Sequence, residues 1–253
     1  MIDLAIADDV AEITLNAPET LNALSLDALG DLAAAYARAE ESGVRALVLR
    51  GEGRAFCAGR DIAGVDPATD DVAGYLGAVE GVMRRIAAFP APTFAAVQGA
   101  CLGVGLGLAI ATDVVYIADD AKVGSPFANL GALLDSGGHA LLYERLGAHR
   151  ALDLIYTGDL MSGAEAVSAG LFSRAMPRDG LLAFTRERAA RVAAGPTQAF
   201  LASKRLIGIL RDDRLWRVLA EESRGQESLR DTGDYGEGFA AFQAKRKPDF
   251  TGK

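Results

Sequence analysis

The stretch "PAPTFAAVQGACLGVGLGLAIATDVVYIADDAKVG", Pro90 to Gly124, decides the class of the fold. "PAP" breaks a preceding helical pattern, "TFAAVQG" reads as a buried strand, and "VVYIA" reads as another. Between them "GVGLG", Gly103 to Gly107, follows a strand and opens a helix, which is the place of a dinucleotide-binding turn. Its spacing excludes that turn. G-x-G-x-x-G needs a glycine where Leu108 stands, and the third glycine is Gly107 instead. No G-K-[ST] follows for a P-loop either. Two compatible readings are left: close helix packing through small residues, and a set of backbone N–H groups offered at a helix N-terminus.

Working outward, "VAEITL" at Val10 to Leu15 alternates as a half-buried strand does, and "NAP" ends it. Ser25 is placed to cap a helix through "LDALGDLAAAYARAEESG", with Asp27 in the first turn and Gly43 at the close. "RALVLRGEG" is a short buried strand, and Asp70 to Phe89 has helical spacing. The pattern is therefore α/β up to "VVYIA". Beyond it, "SGAEAVSAG" predicts a short capped helix and Leu181 to Glu227 a long helical stretch. Gly195, Pro196 and Thr197 mark a boundary between a core over residues 1–195 and a helical region over 196–253, and no fixed-period repeat is present.

With 253 residues, half of them hydrophobic, the chain can bury a substantial core, and 29 glycines point to many tight turns. A formal charge of −8 argues against nucleic-acid binding, which needs a basic face. Cys57 and Cys101 match no zinc spacing and no disulfide framework, so no metal site is expected and the reducing cytoplasm is the expected compartment. "MIDLAIADDVAEITL" lacks the features of a leader. The longest apolar run, Ala100 to Thr112, is too short and too glycine-broken to span a bilayer, so no membrane insertion is expected.

A second strand-to-loop transition, "RAFCAGRDI" at Arg54 to Ile62, pairs with the glycine-rich loop. Two such loops presenting N–H groups at one spot would form an oxyanion hole. With "NAPETLNALS", "TGDLMSGAEAVSAGLF" and "EGFAAFQAKRKPDFTGK", these segments in this order and spacing resemble the crotonase superfamily, the enoyl-CoA hydratase/isomerase family, over nearly the whole chain. The resemblance implies an α/β, ClpP-like spiral of β-β-α units, a C-terminal helical region used for trimerisation, and a homotrimer or hexamer. It also implies acyl-CoA thioester substrates, with CoA as part of the substrate and no separate cofactor. Carried over by position, the oxyanion donors fall on the backbone N–H groups of Arg60 and Val104. The Arg60 side chain is not required for that role and reads equally as an exposed charge. Leu21, Ala23, Ala58, Asp61 and Ile62 match positions that hold CoA, although Leu21 and Ile62 read equally as core side chains. Phe242, Lys245 and Phe250 match a segment that reaches a neighbouring subunit's CoA, with a solvated helix face the alternative for Lys245.

Hydration of an enoyl thioester uses two carboxylates, and the resemblance places them at Gly107 and Phe127, neither of which can move a proton. The acid sits instead in "LGALLDSGGHALL", Leu130 to Leu142, where Asp135 stands among apolar neighbours. Burying a carboxylate there costs several kcal/mol unless something pairs with it or uses it. An aspartate at this place resembles the dienoyl-CoA isomerases and, more closely over "PFANLGALLDSGG" and the tail, the phenylacetate-pathway isomerase that rearranges ring-epoxidised phenylacetyl-CoA. A single carboxylate beside an enolate suffices to move a double bond between β,γ and α,β positions. The alternative for Asp135 is an N-cap of the helix that follows. His139, four residues on, would share its face on a helix and tune it or touch the acyl group, or be a packed neutral histidine. His149 and Glu144 read as solvated. Leu134 and Pro126 depart from the isomerase pattern and bear on the acyl pocket. The expected function is an acyl-CoA isomerase, with a non-catalytic acyl-CoA binding protein, or a hydratase using an atypical carboxylate, Glu144 or Asp135, as the alternatives.

Overall fold

The computed structural model describes residues 1–253. Along the chain run β1 (Ile2–Ala7), β2 (Val10–Leu15), α1 (Leu26–Glu41), β3 (Ala46–Gly51), α2 (Val72–Ala88), β4 (Thr93–Val97), β5 (Ala100–Leu102), α3 (Val104–Ala111), β6 (Val114–Ala118) and β7 (Lys122–Gly124). They are followed by α4 (Gly138–Leu146), α5 (Ala148–Thr157), β8 (Met161–Ser162), α6 (Gly163–Ser168), β9 (Arg174–Met176), α7 (Arg178–Ala193), α8 (Thr197–Leu229) and α9 (Gly233–Gln243). The caps explain several boundaries. Ser25 accepts from the Ala28 N–H at the start of α1, Asp71 from the Gly74 N–H at the start of α2, and Ser162 closes a capping box with Glu165 on α6.

Six strands form one sheet in the order β1-β2-β3-β4-β6-β9, parallel throughout except for the β1–β2 hairpin. A second sheet, β5-β7-β8, stands beside it. The chain leaves β4 at Val97, turns a corner at Gln98–Gly99, enters β5 and then α3, and it repeats the step from β6 into β7. These repeats are the β-β-α turns of a spiral. The strand alternation decides what each face covers: Leu47 and Leu49 join the core shared with α1, α2 and α3, while Ala46 and Val48 pack with Phe94 against Ala189 and Ala193 of α7. The sheet is thus covered on both faces, as parallel sheets require. The edge strand β1, largely exposed, was not apparent from the sequence pattern. No helix is long and apolar enough to cross a membrane.

The C-terminal helices do not stand apart from the core. Leu219 of α8 belongs to the main apolar cluster, and Tyr235 and Phe239 of α9 pack with Ile62.

Candidate active site

The two loops singled out in the sequence meet. Cys57 and Cys101 pair in a parallel bridge, with the Cys57 N–H donating to the Ala100 carbonyl at 2.9 Å and the Leu102 N–H to the Cys57 carbonyl at 3.0 Å. Both thiols are free and buried. Helix α3 can come this close only because Gly105 has no side chain, since a Cβ there would lie inside contact distance of the Cys57 carbonyl and its Cβ. The segment Leu21–Leu24 runs alongside the first loop, with the Leu24 N–H donating to the Gly59 carbonyl and the Asp61 N–H to the Leu24 carbonyl. That pairing uses the groups on either side of Arg60 and leaves the Arg60 N–H without an acceptor. Val104 is the first residue of α3, and its cap residue, Gly103, supplies no side chain. Its N–H is one of the donors that a helix N-terminus leaves open. Both residues line one cavity of about 470 Å³.

The Arg60 side chain is not the exposed charge that one reading of the sequence allowed. It makes a two-pronged ion pair with Asp70, at 2.5 and 2.8 Å, and its guanidinium lies 4.1 Å from the centre of the Tyr75 ring. The Tyr75 hydroxyl donates to the Leu24 carbonyl at 2.9 Å, so this cluster braces both strands of the loop. Asn22, buried and left-handed, ties the neighbouring segment down by accepting from the Ala17 N–H and donating to the Ala55 and Glu52 carbonyls.

Asp135 lines the same cavity and is 6% exposed. It is not the N-cap of α4. That place belongs to Gly137, and the Asp135 carboxylate accepts from the Ser136 hydroxyl at 2.7 Å instead. Ser136 and Gly137 are both left-handed, with φ of 57° and 80°, so the chain makes a sharp turn that presents Asp135 ahead of the helix. Burial pushes the Asp135 carboxyl up to about 7, the Ser136 hydrogen bond and the Arg60 and His139 charges oppose this, and Glu222 adds to it. A carboxyl in that range exchanges protons near neutral pH.

The turn is held from α8. Glu222, 3% exposed, accepts from the Gly137 N–H at 2.8 Å and the His139 N–H at 3.0 Å, and its carboxylate lies 2.9 Å from His139 Nδ1. One turn further along, Gln226 accepts from the Leu133 N–H at 2.8 Å.

Of the other residues expected at the site, Leu21, Ala23, Ala58, Asp61, Ile62 and Phe127 line the cavity, and so does Phe242. His139 does not. Because Asp135 precedes α4, the two share no helix face, and the imidazole turns to Glu222. Gly107 does not line the cavity either, since it is packed under the Asp135 turn: a Cβ there would lie 2.6 Å from the Ser136 Cβ and 2.8 Å from its carbonyl. The turn that carries Asp135 thus takes the space where a side chain at 107 would begin. Phe250 is 39% exposed and outside the chain's own cavity, and the tail around it is pinned to α9 by the Thr251 and Gly252 N–H groups donating to Asp234. Glu144 lies outside the cavity on the surface beside Arg145, which removes it as the atypical carboxylate of a hydratase.

Tyr75, Tyr235, Phe239 and Gln226 line the cavity and were not singled out in the sequence. Tyr235 and Phe239, i and i+4 on α9 with ring centres 4.6 Å apart, were legible as an apolar helical stripe but not as a cavity wall.

The chain matches the family model described as enoyl-CoA hydratase/isomerase over residues 5–253. It is 36% identical over 249 residues to a probable enoyl-CoA hydratase of Rhodobacter capsulatus, covering 98% of this chain and 96% of that one. It is 34% identical over 250 residues to the 1,2-epoxyphenylacetyl-CoA isomerase of Escherichia coli, covering 96% and 95%. A crystal structure of an enoyl-CoA hydratase from Mycobacterium avium subsp. paratuberculosis superposes with a TM-score of 0.88 at 31% identity, over 99% of this chain and 98% of that one. The chain belongs to the enoyl-CoA hydratase/isomerase family, the crotonase superfamily.

Proposed function

We propose that this member of the enoyl-CoA hydratase/isomerase family is an acyl-CoA isomerase with Asp135 as its single proton shuttle. The observation that carries the reading is that Asp135 is the one buried carboxylate in the cavity wall that also holds Arg60 and Val104, while glycine and phenylalanine stand at 107 and 127. The thioester carbonyl accepts from the Arg60 and Val104 N–H groups. Asp135, as carboxylate, takes a proton from C2 of a 3-enoyl thioester, and the C–H electron pair enters a dienolate whose oxygen the two amides stabilise. The protonated Asp135 then delivers that proton to C4, the double bond settles between C2 and C3, and the carboxylate is restored. No atom is gained or lost, and the step needs neither metal nor redox cofactor.

Leu21, Ala23, Ala58, Asp61 and Ile62 form the side of the cavity assigned to CoA, and Phe250 is assigned to the CoA of a neighbouring subunit in a homotrimer or hexamer. The exposed Leu206, Ile207, Ile209 and Leu210 on α8 support an assembly of that kind. Cytoplasmic location belongs to the same reading. A second reading, rearrangement of an aryl-CoA epoxide, is favoured by the aromatic wall of Tyr75, Phe127, Tyr235 and Phe239, which suits a flat acyl group.

The test compares the protein with its Asp135→Asn variant on a 3-enoyl-CoA. Conversion to the 2-enoyl ester should fall by about 10²- to 10⁴-fold in the variant. Equal rates would remove the shuttle, water addition to crotonyl-CoA would favour a hydratase, and tight binding of enoyl, dienoyl and aryl esters without turnover would favour a binding protein.

A further inference from the structure

We propose that Glu222, on α8, is the positioning residue of the Asp135 turn, and that its pairing with His139 sets the charge that Asp135 faces. The inference deepens the isomerase reading and rests on Asp135 being the proton shuttle. The N-cap of α4 is Gly137, which has no side chain to cap the helix, and Glu222 supplies the missing acceptor from 85 residues away by taking the Gly137 and His139 N–H groups. The capped N–H groups are those of Gly137, the second residue of the left-handed Ser136–Gly137 bend, and of His139 just past it, so the carboxylate fixes the bend that aims Asp135.

A neutral acceptor could also have accepted these two N–H groups, more weakly. A carboxylate does more, because it places a buried negative charge beside a second acid, and its own partner, His139 Nδ1 at 2.9 Å, brings a counter-charge only when the imidazole is protonated. The groups that bear on Asp135 are Glu222 from α8, His139 from α4, Arg60 from the loop after β3, Tyr75 from α2 and Tyr235 from α9. Arg60 is already saturated by Asp70, and burial pushes both tyrosine hydroxyls up, so the Glu222–His139 pair is the element whose substitution changes the charge near Asp135.

The experiment measures kcat and KM for a 3-enoyl-CoA across about pH 5 to 9 in the wild type, Glu222→Gln, His139→Gln and Asp135→Asn. Gln at 222 keeps an acceptor and removes the charge, so the acid limb of kcat should move down by roughly half a pH unit or more. Gln at 139 leaves Glu222 without its imidazole partner, so the limb should move up by a similar amount. KM should stay within about twofold in both. Opposite shifts support the proposal, since a merely structural role would lower stability and rate without moving the two limbs apart. Unmoved limbs, or shifts in the same direction, overturn it while leaving the shuttle intact, provided that Asp135→Asn is inactive. If Glu222→Gln does not fold, the upward shift in His139→Gln decides, and its absence overturns the proposal. A fully active Asp135→Asn overturns the shuttle and this inference together.

Discussion

The wall of the cavity that carries the Arg60 and Val104 amides is made of main chain locked by neighbouring main chain, through the Cys57–Cys101 bridge and the Leu24 strand. The wall that carries Asp135 is a left-handed bend after the 3₁₀ turn Phe127–Leu130, and what holds it is a pair of side chains, Glu222 and Gln226, reaching in from α8. The first wall is part of the spiral itself, so on the proposed reading any substrate sharing a thioester carbonyl would use it. The second depends on which side chains the C-terminal helices supply. The reaction is therefore expected to vary with the second wall while binding of the thioester stays with the first.

The sharpest way to break the first wall is Gly105→Ala. The added methyl meets the Cys57 carbonyl and has nowhere to go, so helix α3 must back away and carry the Val104 N–H with it. The expected loss is about 10²- to 10³-fold in kcat, the cost of one oxyanion donor, read by steady-state kinetics on a 3-enoyl-CoA. Wild-type turnover would show that the two amides do not act as a pair.

The second wall should respond in the opposite sense for stability. Burial raises the Asp135 carboxyl to about 7, against about 3.9 in an unfolded chain. Between these values the folded protein holds a proton that the unfolded chain has lost, so stability is full below about pH 4 and falls as pH rises to about 7. Asp135→Asn removes that titration. It should gain on the order of 2–4 kcal/mol at pH 8 and none near pH 4, as measured by denaturant unfolding at the two pH values. A loss at pH 8 would mean that the carboxylate is stabilised in the fold.

How much of each wall could be read in advance follows from how it is built. The main-chain wall left glycines at fixed places, Gly59, Gly103 and Gly105, and the strands around them carried clear patterns, so the loops, the α/β order and the cap at Ser25 were all legible. Asp135 stood out as an acid among apolar residues. What holds it did not, because Glu222 and Gln226 lie in a charged helix whose sequence reads as solvated, and nothing local shows that they turn inward. The expectation that His139 shares a helix face with Asp135 fails for a different reason. Helical spacing was counted from Asp135, whereas the helix starts at Gly138, past a bend that Ser136 makes in an uncommon left-handed conformation. The proposed assembly and the proposed role of Phe250 in it would involve contacts beyond one chain, which local patterns do not encode.

Two smaller changes refine the contrast. Asp70→Asn removes half of the Arg60 ion pair but leaves the Leu24 strand in place. It should lower stability by about 1–3 kcal/mol and kcat/KM by only a few-fold, which thermal unfolding and kinetics would report. A hundredfold loss of rate would show that the side chain, not the main chain, fixes the donor. The smallest effect is expected for Phe250→Ala, outside the chain's own cavity. KM for the CoA ester should rise by about twofold to fivefold with kcat unchanged, the mark of lost uniform binding. A fall in kcat would bring the tail into the chemistry.

The central claim is that one buried carboxylate and two main-chain amides address the same thioester. A crystal structure of the protein with an unreactive acyl-CoA analogue tests it most directly. The account predicts the thioester oxygen about 2.7–3.1 Å from both the Arg60 and Val104 nitrogens, with an Asp135 oxygen about 3–3.5 Å from the α-carbon. A carbonyl bound elsewhere, or an Asp135 carboxylate turned away from the acyl chain, would contradict it.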